Sequence, residues 1–375
     1  MDAGRKRETL MKINFTDKNG TFTITNPENY SGLYLPLAGE EGLKSSITPT
    51  LGGDSKTDQN HFLLEPVSIE NLHNNRGTRN FWCRIVGKGF WSVCGSSAEQ
   101  EFDKYTDRQD ESTLEAGMMW QKLTRTSKKY DLQSEITSFV SIDGTTEIQL
   151  IKITNLSEEE QEVTPIVAIP VYGRSADNIR DHRHVTSLLH RIDTKECGVE
   201  VTPVLSFDER GHQKNDTTYF VYGFTAEGNA PKEFYPTVES FIGEGGSFLI
   251  PEAVRVEKTG CTAGCHLEGK EAVGAFRFER RKLKANESIE YVVLAGATGE
   301  KASISKICTL FGTKEQAENE LAKVKKYWTE KVNVEFETGD EATDNYLKWI
   351  CFQPILRRIY GCSFLPYHDY GKGGR

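Results

Sequence analysis

Cysteine is scarce in this sequence. Eight cysteines (Cys83, Cys94, Cys197, Cys261, Cys265, Cys308, Cys351 and Cys362) in 375 residues are too sparse for a disulfide scaffold. The only tight spacing, Cys261-x3-Cys265-His266, has no second ligand pair at similar spacing. It reads as a turn in a reducing compartment rather than a zinc site. Long apolar runs are missing too: no window approaches 18 uninterrupted apolar residues, so no bilayer-spanning helix is expected. Basic residues are in deficit, 46 against 55 acidic, for a net charge of −9. That balance argues against nucleic acid, whose phosphates call for a basic face, and against an anionic membrane. The opening MDAGRKRETL lacks the apolar core of a secretory signal. Residues 1–11 read as a polar leader ahead of Met11, and the protein is expected to be cytoplasmic.

What the sequence has is strand signal. From about Ile13 to Thr298, short β-branched and aromatic runs alternate with turn clusters. Examples are Thr21–Thr25, Phe81–Ile85, Ile136–Ile142, Glu147–Thr154, Val163–Val171, Thr217–Phe224 and Ile289–Ala295. Asp143-Gly144 marks a hairpin between two of them. No βαβ rhythm and no amphipathic helix longer than two turns interrupts the stretch. Nearly 290 residues of antiparallel strand cannot close one small barrel, so residues 12–300 are expected to form a large sandwich of two packed sheets.

After residue 300 the pattern turns helical. Thr313 and Gln316 form a capping box, followed by the apolar stripe Ala317, Leu321, Val324 and Trp328. Residues 301–338 read as a helical linker. Asp340 is expected to cap a further helix with apolar positions Tyr346, Trp349, Ile350, Ile355, Leu356 and Ile359, kinked or restarted at Pro354. The stretch 339–375 resembles the opening of a helical domain whose apolar face wants a partner. If the chain is complete, the sandwich should cover Trp349, Ile350, Ile355 and Ile359. If it is cut, they should form an exposed stripe.

Chemistry-bearing residues concentrate between Arg174 and His184. Arg174, Asp177, Arg180, Asp181, His182, Arg183 and His184 follow directly on the apolar run Ile166–Tyr172. Directed donors and acceptors at a strand end suit a polyhydroxylated or anionic ligand, against the plain alternative of a salt-bridged loop. His182 and His184 have no third ligand, so no metal is assigned. Trp82, Phe90 and Trp91 could stack on sugar rings, although core packing is the stronger expectation for each ring. Gly243–Ser247 carries an acid and no following Lys-Ser/Thr, so it reads as a turn. Gly371-Lys-Gly-Gly-Arg375 pairs close-approach glycines with Lys372 and Arg375, a weak phosphate signal. No nucleophile elbow and no paired carboxylates stand out, and no catalytic residue is assigned.

Five of these runs resemble the inverting disaccharide phosphorylases of glycoside hydrolase family 94: Ser175–Arg191, Ser206–His212, Asn80-Phe-Trp82, Gln353–Gly361 and Phe364–Arg375. The likeness is strongest to the laminaribiose and β-1,3-oligoglucan branch and covers nearly the whole chain from about Met11. It implies an N-terminal supersandwich, a helical linker, an (α/α)6 catalytic barrel truncated here after its first helix, and a small C-terminal β domain. It implies phosphorolysis of a β-glucoside to α-glucose 1-phosphate, with inorganic phosphate as co-substrate and no cofactor. An inverting glycosidase needs an acid for the leaving oxygen and a base for water. Phosphate is already an anionic nucleophile, so the base can be replaced by a phosphate site. The resemblance places the general-acid Asp and the phosphate-binding residues in the missing barrel, past residue 375. It brings Lys372 or Arg375, near Asp369, toward the donor glucose. It also implies a homodimer in which a loop of one N-terminal domain, here Arg174–His184, reaches the partner's acceptor site. The alternative is a complete, non-catalytic carbohydrate-binding or dimer-assembly module.

Overall fold

A computed structural model describes residues 12–30, 33–67, 77–208 and 211–361. The chain is mainly β. An eleven-stranded antiparallel sheet runs from Asn14–Phe15 through Phe22–Thr25, Glu111–Gly117, Trp120–Ser127, Leu132–Val140 and Thr146–Asn155. It continues through Ser288–Thr298, Thr218–Thr225, Gly198–Val201 and Arg191–Lys195 to His266–Glu268. Facing it is a six-stranded sheet built around Gln161–Pro170, which pairs with Asn80–Ile85 on one side and with Val273–Arg277 and Arg281–Leu283 on the other. Side chains from both sheets, among them Ile136, Ile151 and Val293 from the larger and Phe81, Val167 and Phe276 from the smaller, interdigitate in one apolar core. This is the expected large sandwich.

The strands show why they lie where they do. Along Thr146–Asn155, Ile151 and Ile153 point into the sandwich while Ile148 and Leu150 point out under the C-terminal helices. Ser288–Thr298 is buried on both faces, with Tyr291 and Val293 inward and Val292 and Leu294 outward. It therefore reads as an unbroken apolar run instead of an alternation. The Asp143-Gly144 turn joins Leu132–Val140 to Thr146–Asn155 as expected, with Gly144 at φ +68°. A side chain at Gly144 would meet the Glu41 carbonyl at 1.7 Å, so the site admits only glycine.

A third, four-stranded sheet was not anticipated: Leu35–Ala38, Lys44–Ile47, Gly53–Asp58 and His61–Leu64. Its middle strands read KSSI and GDSKTD, polar runs without strand character. They are nonetheless buried, because they surround a charged pair. The Arg79 guanidinium forks onto the Glu147 carboxylate, both side chains being 1% exposed. It also donates to the carbonyls of Leu51, Gly52 and Asp54, while Ser45 donates to the same carboxylate.

Three helices, Lys301–Phe311, Lys314–Lys331 and Glu341–Tyr360, cover the outer face of the large sheet. The Thr313–Gln316 capping box and the Asp340 cap form as expected. Ala317, Val324 and Trp328 are buried beneath the second helix, and Leu321 partly so. Glu320 is buried with them, accepting from the Ile142 backbone N–H at 3.0 Å. The last helix continues through Pro354 and does not restart there. The carbonyl that Pro354 leaves without a donor belongs to exposed Ile350, where water can satisfy it. The expected apolar face of that helix divides. Leu356 and Ile359 are buried, Trp349 and Ile355 half-buried, while Tyr346 and Ile350 are 62% and 46% exposed.

Removing one partner of a buried ion pair strands the other charge without solvent. Arg79→Ala should lower unfolding stability by about 3–5 kcal/mol, read as a shift in the urea midpoint at unchanged slope.

Candidate functional site

Beyond Pro170 the central strand of the six-stranded sheet leaves its neighbours and crosses to the four-stranded sheet. The backbone of Tyr172 donates to the Leu63 carbonyl at 2.8 Å, Gly173 to Phe62 at 3.0 Å, and Phe62 in return to Arg174 at 2.9 Å. Arg174 is thereby anchored at the root of the loop. It is buried, with its guanidinium 5.0 Å from the centre of the Tyr172 ring. Glu65 and Glu271 line the same small cavity of about 20 Å3. Arg174 therefore braces the loop and is not itself presented at the surface.

The remaining candidates divide by position. Ala176–Arg180 forms a 3-10 turn and Arg183–Ser187 a short helix. Ser175 donates to Asn178 at 3.2 Å and Asn178 to Asp181 at 2.7 Å, which sets the turn's shape. Asp181 and His182 are exposed and Asp177 half-buried. The backbone carbonyl of His182 accepts from Val185 and Thr186, closing the short helix. The side chains of Arg180, Arg183 and His184 lie outside the described set, as do Asp369, Lys372 and Arg375 altogether. Asp181 and His182 are thus exposed on a loop whose root residue, Arg174, is buried; Asp369, Lys372 and Arg375 lie outside the described residues.

His190, beneath the loop, went unremarked in the sequence as a single residue. Its ring is fully buried and neither nitrogen makes a well-formed hydrogen bond. Burial and the Arg174 charge push its pKa down to about 3, against the pull of nearby backbone groups of Lys270 and Tyr172. It is a neutral strut near physiological pH.

Other candidates resolve into structure. Trp82 and Trp91 are buried, Trp91 donating to Asp110 at 2.8 Å, and Phe90 packs edge-on against Trp82. As fully buried rings, the two tryptophans are closed to sugar stacking. His266 lies between Asp193 at 2.8 Å and Glu268 at 3.1 Å, whose hydrogen bonds raise its pKa. Burial, with Cys265 alongside, pushes the Cys261 thiol up to about 12. Among the described residues no cluster of three or more His, Cys, Asp and Glu side chains is arranged to hold a metal ion, and no helix is long and apolar enough to cross a membrane.

A larger concavity lies on the outer face of the six-stranded sheet. It is a groove of about 900 Å3 between the Thr48–Gly53 turn, the start of the strand Asn80–Ile85, the end of Gln161–Pro170 at Ala168, and the loop Gly246–Leu249. Pro170 lines both this groove and the Arg174 cavity. The sequence points to Asn80 and Trp82, whereas Thr48 and Thr50 reach the groove from a turn of the four-stranded sheet.

The profile of the glycosyl hydrolase 94 supersandwich domain matches residues 42–314. The chain belongs to this family. Its matched region takes in the six-stranded sheet, the Arg174 loop and most of the large sheet. Similar solved structures include a bacterial glucoamylase complexed with acarbose, at 8% identity and a TM-score of 0.50, covering 85% of this chain and 40% of that one. A protein assigned as a kojibiose phosphorylase from the human microbiome is 10% identical with a TM-score of 0.47, covering 92% and 42%. A family GH92 α-mannosidase from Bacteroides thetaiotaomicron is 13% identical with a TM-score of 0.44, covering 88% and 39%. The glucoamylase likeness is one of fold. The chain spans about two fifths of the length of each of these structures. No curated protein matches its sequence.

A histidine whose pKa is depressed in the folded state takes up its proton more readily when unfolded. Between about pH 6.5 and 3 the unfolded chain then holds the extra proton, and stability falls as pH falls. His190→Gln should flatten the acid-side loss by up to about 1.4 kcal/mol per pH unit, measured by urea melts from pH 7 to pH 4 on both proteins.

Proposed function

We propose that this supersandwich is the front part of an inverting phosphorylase that cleaves laminaribiose or a β-1,3-oligoglucan with inorganic phosphate to give α-glucose 1-phosphate. The family match over residues 42–314 carries the reading. The runs Ser175–Arg191 and Gln353–Gly361 resemble this family, and within it the likeness is strongest to the laminaribiose and β-1,3-oligoglucan branch. The division of labour follows from the chemistry. A general-acid Asp in a barrel after residue 375 protonates the leaving oxygen. Phosphate attacks from the opposite face, so no basic residue is needed to activate water. No cofactor takes part, and the reaction belongs in the cytoplasm.

In this reading residues 12–300 are the supersandwich, 301–338 the linker and 339–375 the start of the barrel. The supersandwich supplies position more than chemistry. Asp177, Arg180, Asp181, His182, Arg183 and His184 meet the acceptor sugar of a partner protomer in a homodimer, on a loop whose root is held by buried Arg174. Asp369 with Lys372 or Arg375 faces the donor glucose. The exposed Tyr346 and Ile350 side of the last helix is where the barrel packs. The second reading, a complete carbohydrate-binding or assembly module, draws on the other side of that helix, where Phe352, Leu356 and Tyr360 are already closed against the sandwich.

The full-length protein incubated with laminaribiose and phosphate should release α-glucose 1-phosphate. Arg180→Ala in that protein should raise the acceptor KM in the synthetic direction by about tenfold, with a far smaller change in the phosphate KM. An unchanged acceptor KM removes the loop from the acceptor site. Absence of glucose 1-phosphate from every β-glucoside tried removes phosphorolysis.

A further inference from the structure

The groove on the outer face of the six-stranded sheet has the chemistry of a binding site that the phosphorolysis reading does not use. Its volume of about 900 Å3 falls at the upper end of the roughly 300–1,000 Å3 typical of small-ligand sites. Its lining mixes polar and apolar surface and is almost uncharged. Glu101 is the one ionisable acid, and no Lys, Arg or His among the described residues lines it. A phosphate, nucleotide or other anion would find no cation there.

Four hydroxyls that line the groove, those of Tyr34, Thr78, Ser96 and Ser247, make no side-chain hydrogen bond to any described residue. These hydroxyls face solvent, so they are open to the hydroxyls of a ligand. Phe248 and Tyr34, both half-buried, give the walls apolar surface. Hydroxyl donors and acceptors set among aromatic rings, without charge, match a chain of neutral sugar rings, which offers alternating hydroxyls and C–H faces. A peptide is a poorer fit, since peptides pair with sheet edges and this groove lies across a sheet face.

We infer that this groove is a second carbohydrate site, holding a neutral oligosaccharide independently of the Arg174–His184 loop. The groove shares Pro170 with the Arg174 cavity, so a bound chain ends beside the root of that loop. The inference stands on the groove's chemistry alone and does not require phosphorolysis.

The test titrates the 375-residue chain calorimetrically with laminaritriose, cellotriose and maltotriose. At least one should bind with a Kd of about 1 mM or tighter. Tyr34→Phe combined with Thr78→Val removes two hydroxyls that bond to nothing in the described fold. The thermal midpoint should hold while affinity falls about tenfold. Ser96→Ala with Ser247→Ala provides an independent pair with the same expectation. Arg180→Ala should leave the affinity unchanged. No binding of any trisaccharide at about 10 mM, or binding indifferent to both hydroxyl pairs, overturns the inference. So does binding lost in Arg180→Ala, which would place the sugar on the loop. Failure of phosphorolysis with trisaccharide binding intact would count against the enzyme reading only.

Discussion

The buried pair between Arg79 and Glu147 ties the large sheet to the start of Asn80–Ile85 and to carbonyls of the four-stranded sheet. Glu147 sits on a strand of the large sheet and points into the sandwich, where its neighbours along the same face are Gln149, Ile151 and Ile153. Arg79 arrives just ahead of the strand Asn80–Ile85 of the opposing sheet and spends its remaining donors on carbonyls of the four-stranded sheet. Ser45 extends the network to Ser55, and the backbone carbonyl of Ser45 accepts from Tyr360 at the end of the last helix. Two sheets, an inserted sheet and a helix therefore meet at one desolvated charge pair. A hydrophobic replacement of similar volume could match its stability, but not the directional contacts that fix where the four-stranded sheet lies.

That placement matters for function because both concave features depend on it. The strand His61–Leu64 of the inserted sheet receives the backbone of Tyr172–Arg174, which gives the histidine- and arginine-bearing loop its root. The turn Thr48–Gly53 of the same sheet forms one side of the outer groove. Burial also raises the Asp54 pKa, with nearby Lys56 and Arg79 charges opposing the shift, so acid and base are balanced within the same small volume.

How much of this was legible follows from which signals survive burial. Strands with one wet face, such as Thr146–Asn155, show their alternation, and the capping residues Thr313, Gln316 and Asp340 act through local bonds that the sequence displays directly. The four-stranded sheet was illegible because its burial is polar: a run such as GDSKTD looks like a loop until a partner charge outside the segment explains it. The candidate loop was legible as composition, yet its internal division was not. Arg174 looks like its neighbours in sequence and is separated from Asp181 and His182 only by the strand pairing that buries it. Trp82 and Trp91 went to the core, the ordinary fate of aromatics in a sandwich. The groove is illegible in the sequence because its walls come from six stretches far apart in the chain, and only Asn80-Phe-Trp82 among them stands out as a run.

The strand Ser288–Thr298 lies between Thr146–Asn155 and Thr218–Thr225 in the large sheet, and it is the last strand of that sheet in chain order. On a ribosome, the first six strands of that sheet and the four that end at His266–Glu268 emerge as two separate ribbons. Each carries an open edge until the closing strand is synthesised. Non-local pairings of this kind are slow to form, and unpaired edges invite association with other chains. The domain therefore matures late, and a nascent chain halted before residue 288 would hold two unfinished sheets where the finished protein has one.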